Sequence, residues 1–109
     1  MDYYIGAIED FNKAIEVASF NDKSNDLHFY DRAACRYLLD DYLGALDDIN
    51  KSLKLFPSSY AFNFRANLKF DIEDYKGAIE DFNKAIEISP DFYGYYEYRG
   101  ECKLNLKQY

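Results

Sequence analysis

Six cations recur at a fixed register along this chain: Arg32 and Arg36, Arg65 and Lys69, Arg99 and Lys103. Members of each pair stand four residues apart, which on a helix is one face, and successive pairs follow at 33 and 34 residues. Two chemistries suit such a row. Aligned guanidinium and ammonium groups can hold an anion or a phosphate. Alternatively, each arginine closes on a carboxylate within the fold, and Asp10, Asp48 and Asp81 recur in a shared register to receive it. That recurrence favours a structural ladder of Arg–Asp pairs, which fixes register more than it adds net stability.

Catalytic inventories are thin. His28 is the only histidine, and it sits in a polar approach to a helix, where an exposed surface residue is expected rather than a base. Glu9-Asp10, Asp40-Asp41, Asp47-Asp48 and Glu80-Asp81 are adjacent acids, but they recur on what reads as a solvated helix face. No GxSxG, phosphate-binding loop or HExxH is present, and no cysteine has a histidine neighbour. Cys35 and Cys102 lie far apart without CxxC spacing. Both fall at the register held by Leu68, so they read as small buried apolar residues in a reducing compartment. No enzyme activity, metal or cofactor is expected.

The elements that position these side chains repeat. Gly6-Ala7-Ile8-Glu9-Asp10-Phe11-Asn12-Lys13-Ala14-Ile15-Glu16 returns letter for letter as Gly77 through Glu87, with a looser copy from Gly44 to Lys54. Aligning on the aromatic before each copy gives Tyr4, Tyr42, Tyr75 and Tyr109, spaced by 38, 33 and 34 residues. Ala78, Ile79, Phe82, Ala85 and Ile86 form one apolar stripe, so a helix is expected from about Tyr75 to Ser89, closed by Pro90 as its counterpart is by Pro57. Glu9 to Lys13 and Glu80 to Lys84 place acid before base at i,i+4. An aromatic-rich helix precedes each, over Leu27–Leu39, Tyr60–Ile72 and Tyr93–Leu106. Small residues at Ala33, Ala66 and Gly100, and at Ala7, Ala45 and Ala78, let paired helices approach closely. Phe29, Phe62 and Tyr96 fill the gap to the next helix. Units of this length cannot bury their apolar faces alone and must stack.

The pattern resembles the tetratricopeptide repeat, a helix-turn-helix unit of about 34 residues. Its early aromatic is matched by Phe29, Phe62 and Tyr96, its small residue by Ala33, Ala66 and Gly100, and its tyrosine by Tyr4, Tyr42 and Tyr75. The best copy completes it with Ala78, Phe82, Ala85 and Pro90. The second copy departs at Ile49 and Ser52, and the first has Ser19 in place of proline. The resemblance implies an all-α fold, an α-solenoid of antiparallel helix hairpins wound as a right-handed superhelix. It reads as one helical-repeat domain over 1–109. Residues 1–19 are a lone second helix, 26–58 and 59–92 are full repeats, and 93–109 are a lone first helix. The polar stretch from Phe20 to Asp26 is a lengthened loop.

By the same resemblance, first helices line a concave groove for an extended peptide or a partner helix. Here Tyr30, Ala34, Tyr37, Tyr60, Asn63, Asn67, Phe70, Glu97 and Glu101 would line it, with Asn63 and Asn67 placed to bracket a backbone amide. The best-characterised groove of the family clamps a C-terminal carboxylate with lysine and asparagine. Its matching positions are Tyr30, Ala34, Phe64, Gly94 and Tyr98, none of them Lys, Arg or Asn, so that activity is not carried over. An aromatic, acidic groove suits a protein or peptide with apolar anchors and basic residues. A net charge of −7 argues against nucleic acid, which demands a basic stripe.

No apolar run is long enough to span a membrane, and the N-terminus has neither a basic region nor an apolar core, so a cytoplasmic location is expected. Two half-repeats suggest a fragment of a longer solenoid. They also suggest a head-to-tail homo-oligomer, because each half supplies what the other lacks. Ile5, Ile8, Phe11 and Ile15 at one end, and Tyr95, Tyr98, Cys102 and Leu106 at the other, are the residues expected to lack a partner. Such a contact is heterologous and closes into a ring or runs on as a filament.

Overall fold

A computed structural model describes residues 2–19 and 22–107. Phe20 and Asn21 of the lengthened loop, and the Tyr109 anchor, lie outside the described residues. In chain order the elements are α1 (Asp2–Val17), a 3-10 turn (Lys23–Asn25), α2 (Asp26–Leu38), α3 (Tyr42–Leu55), α4 (Ser59–Asp71), α5 (Tyr75–Ile88) and α6 (Tyr93–Lys107). Among the described residues there is no strand. The all-α, helical-repeat architecture is as expected, and the aromatic-rich helices begin and end within a residue of their expected bounds. The helices form two compact units, Met1–Pro57 and Ser58–Tyr109.

In the first unit α2 packs against both α1 and α3. The α2–α3 hairpin is antiparallel: Phe29 early in α2 lies under Lys51 late in α3, and Arg36 late in α2 meets Asp48. Phe29, Ala33, Ala45 and Ile49 are wholly buried, the two alanines allowing the helices to close up. The turn between the helices is specific. Asp40 takes a left-handed φ of 63°, letting the Asp41 amide donate to the Arg36 carbonyl at 2.8 Å. Asp41 then caps α3, its carboxylate accepting from the Gly44 amide at 2.9 Å. A Cβ on Gly44 would collide with that carboxylate, which is why glycine stands there.

The same turn recurs in the second unit. Glu73 has φ 64°, the Asp74 amide donates to the Lys69 carbonyl at 2.7 Å, and Asp74 accepts from the Gly77 amide at 3.0 Å. The cap is written in the sequence as Asp-Tyr-x-Gly. α1 has Tyr3 where Asp41 and Asp74 stand, and a Cβ on Gly6 would meet nothing within 4 Å.

Asn25 ties the approach to α2 back to the end of α1. Asn25, wholly buried, donates through Nδ2 to the Ile15 carbonyl at 3.3 Å and the Ser19 carbonyl at 2.6 Å. Its Oδ1 lies 2.7 Å from His28 Nδ1. The expectation of an exposed His28 is therefore corrected: the ring is half-buried and helps stitch α1 to α2.

In the second unit α5 lies between α4 and α6. Its core joins Ala66, Ala78, Phe82, Ala85, Tyr95 and Cys102, with Phe62, Phe70, Ile79 and Ile86 packed against it. α3 and α5 end at Leu55 and Ile88, two residues before Pro57 and Pro90. Lys13 and Lys84 pair with Glu16 and Glu87, each at 3.8 Å, rather than with Glu9 and Glu80. Spaced i,i+3 and exposed, such pairs add little. Among the described residues, no helix is long and apolar enough to cross a membrane.

Ser52 occupies the position of Ala14 and Ala85 in the other copies, is 1% exposed, and its Oγ has no hydrogen-bond partner. A buried hydroxyl without a partner is destabilising, and alanine is the better helix former. Ser52→Ala is expected to raise the urea unfolding midpoint, by about 1 kcal/mol of stability. A lower midpoint would mean that the hydroxyl does have a partner.

Candidate interaction surface

The Arg–Asp ladder forms, with two rungs inside the molecule. In the first unit Asp48, wholly buried, accepts from Arg32 Nε at 2.9 Å and Nη2 at 2.7 Å, and from Arg36 Nη1 at 2.8 Å. In the second, Asp81 accepts from Arg65 Nε at 2.9 Å and Nη2 at 2.7 Å, with Lys69 Nζ at 3.1 Å. Each carboxylate thus takes a two-pronged guanidinium and a second cation one turn on. The arginines also lie over aromatic rings three residues earlier: Arg32 over Phe29 at 5.3 Å, Arg65 over Phe62 at 5.6 Å and Arg99 over Tyr96 at 5.4 Å. These cation–π contacts help to hold the arginine arms along their helices.

The third rung is missing at both ends. Asp10, expected to take an arginine, is exposed and has no ion pair among the described residues. Arg99 donates to Asn83 Oδ1 at 2.7 Å instead of to an aspartate, and Lys103 is exposed. In α1 the sequence that makes a buried Asp81 in α5 therefore leaves a solvated aspartate, because among the described residues no helix lies where α4 lies on α5.

The residues expected in a groove sit on the aromatic-rich helices. On α2, Tyr30, Ala34 and Tyr37 are half-buried, and the Tyr37 ring is 5.3 Å from Tyr42. On α4, Tyr60 and Asn63 are half-buried, and Asn67 is exposed with its amide 3.5 Å from Asn63 Oδ1. Phe70 packs into the core and against Tyr75, ring centroids 5.3 Å apart, so it supports the hairpin rather than presenting a face. On α6, Glu97 and Glu101 are exposed.

Three of the eight residues expected to lack a partner are buried within their own unit. Ile15 is 4% exposed, and Tyr95 and Cys102, at 7% and 0%, belong to the core of the second unit. The reason is that α2 covers one side of α1, and α5 covers one side of α6. Ile5 and Tyr98 remain exposed, and Ile8, Phe11 and Leu106 are half-buried. Tyr98 keeps a ring contact with Phe82 at 5.7 Å. An open hollow of about 360 Å³ lies beside Leu106, lined also by Glu73, Asp74, Tyr75 and Lys76. Sequence patterns gave no signal for it, since it exists only where the end of α6 meets the start of α5.

Neither cysteine is in a disulfide. Burial pushes the thiols of both Cys35 and Cys102 above their ordinary pKa, with Asp31 adding to the first and Glu101 to the second. That favours the inert thiol over the thiolate. Among the described residues, no group of three or more His, Cys, Asp or Glu side chains is placed to hold a metal ion.

Comparison with known proteins places this geometry. Residues 59–92 match the family model for the tetratricopeptide repeat. No curated protein matches the sequence. Among solved structures, the chain is similar to the first tetratricopeptide-repeat domain of Spaghetti (RPAP3) bound to the HSP90 peptide SRMEEVD, at 20% identity and a TM-score of 0.86, over 97% of this chain and 82% of that one. It is similar also to the Sgt2 tetratricopeptide-repeat domain from Aspergillus fumigatus, at 24% identity and a TM-score of 0.84, over 98% of this chain and 70% of that one. A third likeness is to the MamA protein, at 20% identity and a TM-score of 0.73, over 95% of this chain and 61% of that one. The hairpins, turns and ladder repeat at the spacing of that matched segment, and the chain has the all-α, helical-repeat fold of these tetratricopeptide-repeat structures.

Proposed function

We propose that the chain is a protein–protein interaction module, a scaffold or adaptor that performs no chemistry and binds a peptide or helix on the exposed faces of its aromatic-rich helices. The observation carrying this reading is the pattern on α2 and α4. Tyr30, Tyr37 and Tyr60 are half-buried on rigid helices, offering broad apolar contact at little entropic cost. Exposed Glu97 and Glu101, with the net charge of −7, select a ligand with apolar anchors and lysine or arginine beside them. A cytoplasmic setting, with both thiols reduced, fits this role.

A peptide-bound relative supports the general mode, and the chemistry of this chain points to a different peptide. The acidic sequence SRMEEVD would meet Tyr30, Ala34, Phe64, Gly94 and Tyr98 at the clamp positions, without one cation among them. An array of peptides carrying leucine or aromatic anchors next to lysine and arginine is the direct test, read by fluorescence anisotropy. Tyr30→Ala and Tyr60→Ala are each expected to weaken the best binder by about tenfold, and SRMEEVD to bind negligibly. Unchanged affinity in the double variant would sink the assignment of these faces.

A second reading is favoured by the missing rungs: self-assembly, head to tail, through α1 and α6. Its support is that Asp10 lacks the cations its register calls for, while Arg99 and Lys103 lack the aspartate.

A further inference from the structure

The second unit contains a template for a joint between molecules. α5 receives α4 on one face, Asp81 taking Arg65 and Lys69 while Ala66, Ala78, Phe82 and Ala85 close the seam beneath. α1 carries the same eleven residues, Gly6 to Glu16, and therefore the same surface. On α1 that surface is open: Asp10 is exposed where Asp81 is 2% exposed, and Phe11 is half-buried where Phe82 is 1% exposed. α6 in turn repeats α4. Arg99 and Lys103 stand at the register of Arg65 and Lys69, Gly100 at that of Ala66, and Tyr96 at that of Phe62.

Three details of α6 match a face shaped for a following helix. Arg99 is already laid over Tyr96 as Arg65 is over Phe62. Gly100 is exposed, and a Cβ there would meet nothing within 4 Å, so a helix backbone has room to approach. Leu104, at 65% exposure, holds the register of Tyr37 and Phe70, the residues that receive the tyrosine opening each second helix. On α1 that tyrosine is Tyr4.

We infer that α6 of one molecule docks on α1 of a second copy, with Arg99 and Lys103 closing on Asp10 and Leu104 meeting Tyr4, so that the α4–α5 hairpin is reproduced between molecules. The inference rests on the head-to-tail reading and assigns its joint. The occupant is a second copy because the complementary charge, the small residue and the apolar seat that Leu104 offers Tyr4 all belong to this chain at the spacing its own hairpin uses. The contact is heterologous, so association continues until a ring closes.

The test is absolute mass by light scattering across a wide concentration range. The wild-type chain is expected to climb above its 12.8 kDa monomer. Asp10→Lys, and separately Arg99→Asp with Lys103→Asp, are each expected to raise the dissociation constant about thirtyfold or more. An equimolar mixture of the two variants restores association, because it brings an unaltered α6 to an unaltered α1. All three positions lie on exposed or half-exposed faces, and far-UV circular dichroism checks that helix content is kept. A wild-type chain that stays monomeric overturns both the inference and the reading beneath it. A wild-type chain that associates while Asp10→Lys associates equally overturns this joint and leaves head-to-tail assembly standing by another contact. Variants that lose association without recovering it when mixed also overturn the joint.

Discussion

Phe82→Ala is expected to destabilise the second unit by about 3–5 kcal/mol, whereas Phe11→Ala, the same change in the same eleven residues, costs about 1 kcal/mol. Phe82 is 1% exposed and sits among Ala66, Ala78, Ala85, Tyr95 and Cys102. Truncating it removes a large apolar group and leaves a cavity among small rigid neighbours that cannot collapse to fill it. Phe11 is half-buried, so part of the lost volume is replaced by water and the cavity penalty falls away. Single domains are stable by only about 5–15 kcal/mol, so the first change removes much of what holds α4, α5 and α6 together. Urea unfolding followed by circular dichroism checks both. Equal costs would mean that α1 is covered in solution as fully as α5.

The second large effect lies in the ladder. Asp81→Ala and Asp48→Ala are each expected to destabilise by about 2–4 kcal/mol, and Asp10→Ala by less than about 0.5 kcal/mol. Removing Asp48 strands Arg32 and Arg36, whose side chains are 12% and 26% exposed, without a counter-charge. Removing Asp81 does the same to Arg65 and Lys69, at 23% and 21%. These heads are not sealed in and can turn partly toward water, which keeps the cost below that of a fully buried orphan charge. A double change, Asp81→Leu with Arg65→Leu, recovers part of the loss, because an apolar pair avoids desolvating two ions. If the single aspartate changes were harmless, the carboxylates would be incidental to the hairpins.

The helices were legible because their punctuation is local. Pro57 and Pro90, the repeated Gly-Ala, and the 3.6-residue stripe in Tyr75–Ile88 each act within a few residues. The ladder was legible too, since Asp48 and Asp81 share a register with the arginines that reach them. What pattern could not supply was which side of each terminal helix is covered by its neighbour. Gly6–Glu16 and Gly77–Glu87 are indistinguishable as text, and only the helices beside them make Asp81 buried and Asp10 solvated. Ile15, Tyr95 and Cys102 were misjudged for the same reason, since each faces a neighbour within its own unit. Asn25 escaped notice because a polar residue in a polar loop gives no sign that its amide reaches back to Ile15 and Ser19.

The head-to-tail joint places a second copy on the open face of α1, and hydrogen exchange tests that joint most directly. Peptides spanning Gly6–Glu16 and Gly77–Glu87 differ in their flanking residues, Ile5 against Lys76, so mass spectrometry separates them. In dilute solution the α1 amides are expected to exchange faster than those of α5, because fewer packed neighbours oppose local opening. As concentration rises, α1 protection is expected to approach that of α5, while α5 itself does not change. Equal protection of the two segments in dilute solution, or α1 exchange indifferent to concentration, would contradict the account.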